Sequence, residues 1–350
     1  MAGGIAGRRR GATWRDPAPF ARGRAAFIPA FAILLTLSAC GDRGGAPSPE
    51  ARARAEADAE ASLPPNLPNE VADEAALRQF YTNVQSDLIA TGRLRMETAP
   101  ADAPYGVPEL VRDFERVALY NEYTDLDGEF VHTESAATLR RWNTPIRVAA
   151  MTSPSTPKES ARDRGNVAAF TQRLARLTGT DMRMADDASV NFLVLFMNSS
   201  ERDAFSDQIR RRYPTFAPAV MNAMRDTPLD QFCITYSYAD PTNPALFSSV
   251  LILIRAEHPQ LTRLSCVHEE MAQAMGLPND SPEARPSLFS DSLEFALLTE
   301  HDEILLRMLY DPRLRPGMTA EEARPLLPEI ARDAIAAEQR DGGATVLAVN

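Results

Sequence analysis

Hydrophobic positions along the chain fall into a few distinct patterns. The first is FIPAFAILLTLSA, a continuous apolar run behind an arginine-rich start, too short for a comfortable membrane span and of the length of an export signal. Residues 41–69 hold almost nothing to bury and are rich in Ala, Pro, Glu and Gly. Such a composition cannot offset the entropy of ordering, so a flexible tether is expected there. Between 70 and 95, Val71, Ala75, Leu77, Phe80, Tyr81, Val84, Leu88 and Ile89 recur at roughly helical spacing. They predict an amphipathic helix ending near Gly92, packed either on the main body or on a partner.

Beyond a proline-rich break at 99–108, FERVALYNEY and LRRWNTPIRVAAM alternate as strands do, with a Leu126-Asp127-Gly128 turn signal between them. NVAAFTQRLARLTGT places Val167, Phe170, Leu174 and Leu177 on one helical face and closes at Gly179. ASVNFLVLFM reads as a buried strand, and FCITYSYA with FSSVLILIRA as a strand pair joined by the loop 240–244. The chain then enters a helix at CVHEEMAQAMG. The expected class is α+β, a mixed sheet with helices against it. The chain divides into an export signal (1–39), a disordered tether (40–69), an N-terminal helical segment (70–105) and one main domain (106–340), with no internal repeat.

Composition and charge narrow the partners. With 44% hydrophobic and 24% charged residues, the chain can bury one large core. The net charge is −11, although Arg8, Arg9, Arg10, Arg15, Arg22 and Arg24 all precede Cys40 against the single acid Asp16, so the chain beyond the signal is more acidic still. Such a surface repels phosphate backbones, which excludes nucleic acid as the expected partner. Leu37-Ser38-Ala39-Cys40 resembles the lipobox of bacterial lipoproteins, which implies lipidation at Cys40 and, with Gly41 rather than aspartate next in the chain, attachment at the outer membrane facing the periplasm. The alternatives are an uncleaved anchor, or a signal peptide with a chance cysteine. Cys233 and Cys266 then remain as an even pair, expected as a disulfide in an exported protein; two buried thiols are the alternative.

The stretch CVHEEMAQAMGLPNDS carries the candidate chemistry. The zinc-protease pattern H-E-x-x-H fails from His268, because Ala272 stands four residues on. One residue later the spacing of H-E-x-x-H-x-x-G is kept, with Glu269 and Gln273 at the ligand positions, Glu270 at that of the general base and Gly276 at the helix end. The third ligand position falls on Asn279, beside Asp280. In these spacings the chain resembles the metzincins. The resemblance extends to Ser287-Leu288-Phe289, where that class has a serine-methionine turn, and to the helix opened by Thr299 and Asp302, which also reads as a capping pair. It implies that VLILIRA is the edge strand that holds an extended peptide. Taken together, W-N-T-P-I-R-V at 142–148, E-E-x-x-Q-A-x-G-L-x-N-D-S at 269–281 and L-L-R-M-L-Y-D-P-R-L-R-P-G-M at 305–318 resemble the domain-of-unknown-function 2927 family of proteobacterial, often lipoprotein, sequences, over about 114–318. That resemblance implies a zincin-like fold and supplies no activity.

Glu269, Gln273 and Asn279 or Asp280 form an oxygen-only donor set. Zinc prefers imidazole and thiolate, while calcium, magnesium or manganese accept such a set, and a water on them is activated less. No bound metal is the expected state; an oxygen-ligated ion, or zinc recruited with a distant histidine, are the alternatives. His268 lies about a hundred degrees of helical rotation from the Glu269 face, and His132, His258 and His301 are scattered singly. Arg285, Arg307, Arg313 and Arg315 are expected on carboxylates such as Asp280, Asp302 or Asp311, or as a basic rim for an anion. No G-x-S-x-G elbow, P-loop or G-x-G-x-x-G occurs. The expected function is a lipid-anchored envelope protein whose degenerate zincin-like domain binds a peptide or envelope protein without proteolysis. The alternatives are an atypical metallohydrolase with Glu270 as base, and a disulfide-braced lipoprotein acting through its N-terminal helix.

Overall fold

A computed structural model describes residues 74–348, apart from 127–128, 203–207, 210, 212–228, 230 and 291. The signal, Cys40 and the tether lie outside the described residues. Among those described, no helix is long and apolar enough to cross a membrane.

The chain forms a mixed sheet with seven α-helices among the described residues. In order these are α1 (Glu74–Ala90), α2 (Val107–Ala118), a hairpin of β1 (Tyr120–Leu126) and β2 (Glu129–Ala136), β3 (Ile146–Thr152), α3 (Pro157–Thr178), β4 (Met182–Met184), β5 (Phe192–Met197), β6 (Cys233–Asp240), β7 (Asn243–Arg255), α4 (Gln260–Gln273), α5 (Glu300–Leu309), the short α6 (Ala320–Ala323) and α7 (Leu327–Ala348). The main sheet runs β4-β3-β5-β7-β6. Its first four members pair in parallel, and β6 joins β7 antiparallel.

Side-chain alternation assigns the two faces. Val148, Phe192, Val194, Phe196, Val250, Ile252 and Ile254 face the larger core, which they share with Val167, Phe170 and Leu174 of α3 and Cys266, Val267 and Met271 of α4. Leu193, Leu195, Met197, Leu251 and Leu253 form a second apolar cluster, with Ile234, Tyr236 and Tyr238 of β6 packed against it. FLVLFM is therefore buried on both faces, as a central parallel strand must be. Helix α3 ends at Gly179 in the left-handed conformation, as its spacing predicts.

Three expected elements differ. The FERVA half of FERVALYNEY is the end of helix α2: Leu110, Phe114 and Val117 repeat at four and three residues and are fully buried, and Glu109 accepts from the N–H of Gly106 to close its first turn. LRRW is not a strand; a single bridge joins Arg141 to Leu246, and β3 begins only after Pro145. VLILIRA lies inside the sheet, paired on both sides, and among the described residues β6 is the outermost strand on that side. Helix α1 packs on the body through Leu77, Tyr81, Val84 and Leu88, and the segment after it bonds to residues 293–296.

Candidate functional site

Helix α4 begins at Pro259, whose side chain cannot cap it. The acceptor comes from α1 instead, where Gln85 Oε1 takes the Thr262 N–H at 3.1 Å and its hydroxyl at 3.0 Å. At the next residue, buried Arg263 donates to Asp163 of α3 at 3.1 Å. Breaking such a pair would leave one charge buried alone, so it holds the helix in a fixed seat. Cys266, Val267 and Met271 fill the core beneath.

The far end of the helix is gripped by the other two sequence motifs. The indole N–H of Trp142 donates to the Ala274 carbonyl at 2.9 Å, and the Tyr310 hydroxyl donates to the Met275 carbonyl at 2.9 Å while accepting from the Trp142 N–H at 3.2 Å. Arg141 donates to the carbonyls of Leu309 and Leu314, both at 2.8 Å. Gly276 has φ +123°. Trp142 and Tyr310 satisfy the two carbonyls just past the end of α4, and Arg141 fastens the same segment to the end of α5, which explains why the tryptophan, glycine and tyrosine belong to one pattern.

The proposed ligand positions separate in space. Gln273 Nε2 donates to Asp280 Oδ1 at 3.2 Å, so this pair is brought together. Asn279 is buried and turned away: its amide donates to the Arg116 carbonyl at 2.9 Å and its N–H to the Val117 carbonyl at 3.2 Å. It ties the loop to the end of α2. Glu269 is half-buried and Glu270 buried; their carboxylates lie with Cys233 Sγ, ligand atoms within 4.8 Å of one another. Cys233 is bonded to Cys266, which links the edge strand to α4, and Thr235 Oγ1 donates to the Glu270 carbonyl at 3.2 Å beside it.

The residues present do not fit a histidine-type zinc centre. His268 stacks on Phe170 at 4.3 Å and accepts from the Leu298 N–H at 3.1 Å. Burial pushes it down to about 3, Arg173 adding to this. His258 is buried with Nε2 on the Phe232 carbonyl at 2.9 Å, and burial pushes it to about 3 as well. Both are neutral packing groups. His301 sits between Asp113, at 3.1 Å, and Asp302, at 3.4 Å. Burial alone would lower it; the hydrogen bonds to the two aspartates outweigh that and raise it. None of these three belongs to the carboxylate cluster.

Thr299 and Asp302 cap α5 reciprocally, as their spacing predicts. Asp302 also accepts from Ser287 Oγ at 2.6 Å and the Leu288 N–H at 2.9 Å, anchoring the Ser287-Leu288-Phe289 turn. Of the arginines, Arg313 holds Asp311 at 2.7 Å as expected. Arg285 instead pairs with Asp102 and Glu294, and Arg307 with Glu338. Asp280 and Asp302 thus have other uses.

Sequence reading missed the proximity of Cys233 to the two glutamates. The signal available was local: Cys266 lies three residues before Glu269 and four before Glu270, spacings that share a helix face.

No curated protein and no solved structure matches the chain. A family model does, over residues 108–329, from the start of α2 into α7 and across all three interlocked motifs. On that match the chain belongs to the family described as protein of unknown function (DUF2927).

Proposed function

We propose that this is a lipid-anchored protein of the bacterial envelope, facing the periplasm, whose domain is a degenerate zincin that binds an extended peptide segment along β6 without cutting it. The observation that carries the reading is the end of the sheet. Four parallel strands finish in one antiparallel strand, β6, which lies beside the helix bearing Glu269 and Glu270 and, among the described residues, pairs with β7 as its one strand neighbour. A strand in that position offers its outer N–H and C=O groups to a peptide, and main-chain pairing supplies affinity while adjacent side chains supply selectivity.

Recognition is favoured over hydrolysis by the donor set. Glu269, Gln273 and Asp280 offer oxygen alone, Asn279 is committed to α2, and a metal held this way would activate water weakly. The test uses the chain with Cys40→Ser, which cannot be acylated, and a library of extended peptides. Bound peptides are expected to be recovered intact, to slow amide exchange in β6, and to bind Glu270→Gln equally well. Cleavage lost in Glu270→Gln would replace this reading with the metallohydrolase; binding that leaves β6 exchange unchanged would remove it. For the anchor, Cys40→Ser is expected to release the protein from the membrane fraction.

A further inference from the structure

Three potential metal donors meet where β6 crosses α4, and a fourth is bonded to one of them. Cys233 Sγ and one carboxylate oxygen from each of Glu269 and Glu270 lie within 4.8 Å of one another. The fourth is Cys266 Sγ, bonded to Cys233. As a disulfide the sulfurs offer no thiolate, which is the form that binds metal. We propose that reduction of Cys233–Cys266 converts this corner into a site for a thiophilic divalent cation of the zinc class, with the two thiolates and the Glu269 and Glu270 carboxylates as donors.

The chemistry balances with a dithiol reductant. One thiolate of the reductant attacks a protein sulfur, the second resolves the mixed disulfide, and the protein gains two electrons and two protons as the reductant becomes a disulfide. Binding of the cation then displaces the two thiol protons. The four donors form a two-sulfur, two-oxygen set, which suits zinc far better than the oxygen-only positions at Gln273 and Asp280.

The geometry survives opening of the bond because neither backbone depends on it alone. Cys233 is held in register opposite Ile254, Thr235 is tied to the Glu270 carbonyl, and Cys266 is 2% exposed in the core face of α4. The Cα atoms are 5.9 Å apart. Two sulfurs on one tetrahedral zinc, with Zn–S near 2.3 Å, sit about 3.8 Å apart, a separation that side-chain rotation at this spacing provides. Glu270 is 5% exposed, so a cation taken up here would sit in a largely buried corner, where its attraction to carboxylate and thiolate donors is screened less than in water. The inference does not rest on the peptide reading, which concerns the oxidised protein; it makes the join between β6 and α4 responsive to redox state and metal together.

The test uses the full chain with Cys40→Ser, zinc chloride as the probe and native mass spectrometry as the count. A phosphine reductant opens the disulfide without the chelation a dithiol brings. The reduced chain is expected to hold one zinc and the oxidised chain none. Glu269→Gln/Glu270→Gln, which keeps the disulfide, is expected to bind at least about tenfold more weakly when reduced. On the chain with both glutamates intact, the disulfide midpoint in a glutathione buffer is expected to rise about 30 mV for each tenfold rise in free zinc, the two-electron linkage slope. Four results would overturn the proposal: no zinc on the reduced chain, equal zinc on the oxidised chain, unchanged affinity in the double glutamine variant, or a midpoint indifferent to zinc. A reduced chain that unfolds and binds through its thiols alone gives the third of these.

Discussion

Gly276 turns its bare Cα on the carbonyl oxygen of Arg140: a Cβ placed there would meet that oxygen at 2.1 Å. The contact joins the end of α4 to the segment that leads into Trp142, and the φ of +123° is one that side chains rarely adopt. Gly276→Ala thus adds backbone strain, roughly 1–3 kcal/mol, to an overpacking cost of roughly 1–3 kcal/mol. A destabilisation of about 3 kcal/mol or more is expected, read as a fall in Tm of about 6–12 °C. A shift under 2 °C would mean the helix end moves freely away from Arg140.

The hydroxyl of Tyr310 serves two backbone groups at once, the Met275 carbonyl and the Trp142 N–H. Tyr310→Phe keeps the ring and leaves both groups without that partner, at roughly 1–3 kcal/mol for each buried group left unsatisfied. Urea unfolding is expected to show a loss of about 2–6 kcal/mol with the slope unchanged. Trp142→Phe breaks one bond of the same cluster, to Ala274, and in combination the losses are expected to be less than additive because the residues share partners. Full additivity would contradict the interlock.

What was legible in the chain was what is local or counted. Thr299 with Asp302, Gly179 after its helix, Gly276 before Leu277-Pro278 and the even pair Cys233 and Cys266 each carry their reason within a few residues or in the cysteine arithmetic. The order of the sheet does not, because it depends on pairings such as Phe192 with Val250. VLILIRA did hold a clue to its interior place: an unbroken apolar run marks a strand covered on both faces, whereas Ile234, Tyr236 and Tyr238 alternate with Thr235 and Ser237 as an edge strand does. FERVA misled because a short apolar pair fits either period until Leu110 is counted with it. The distant partner of His301 could not be read at all, since Asp113 is 188 residues away.

The buried histidines give opposite pH signatures. His301 is raised above 6.5 by Asp113 and Asp302 against its burial, so its contribution to stability is complete below about pH 6.5 and is lost as pH rises through the raised value. His258 and His268, pushed down to about 3, contribute above pH 6.5 and lose that contribution as pH falls from 6.5 towards 3. Imidazole proton resonances followed from pH 3 to 9 are expected to show His301 titrating above 6.5 and the other two still neutral at pH 5. Asp113→Asn is expected to bring His301 down. A wild-type His301 that titrates below 6.5 would remove the charged bridge between α2 and α5.

Glu338 of α7 is pushed up to about 7, first by burial and then by its hydrogen bond and repulsion with Glu303, against the pull of Arg307 at 2.8 Å. A carboxyl raised from 4.5 favours the folded state while it keeps its proton: the contribution is full below pH 4.5 and disappears as pH rises through about 7. Glu338→Gln imitates the protonated acid at every pH. Urea unfolding is expected to place the variant within error of wild type at pH 5 and above it at pH 8, with the alkaline loss that remains belonging to His301. A variant weaker than wild type at pH 8 would show that the ion pair with Arg307 outweighs the crowding of Glu303 and Glu338, and that α7 is seated by charge attraction instead of by a shared proton.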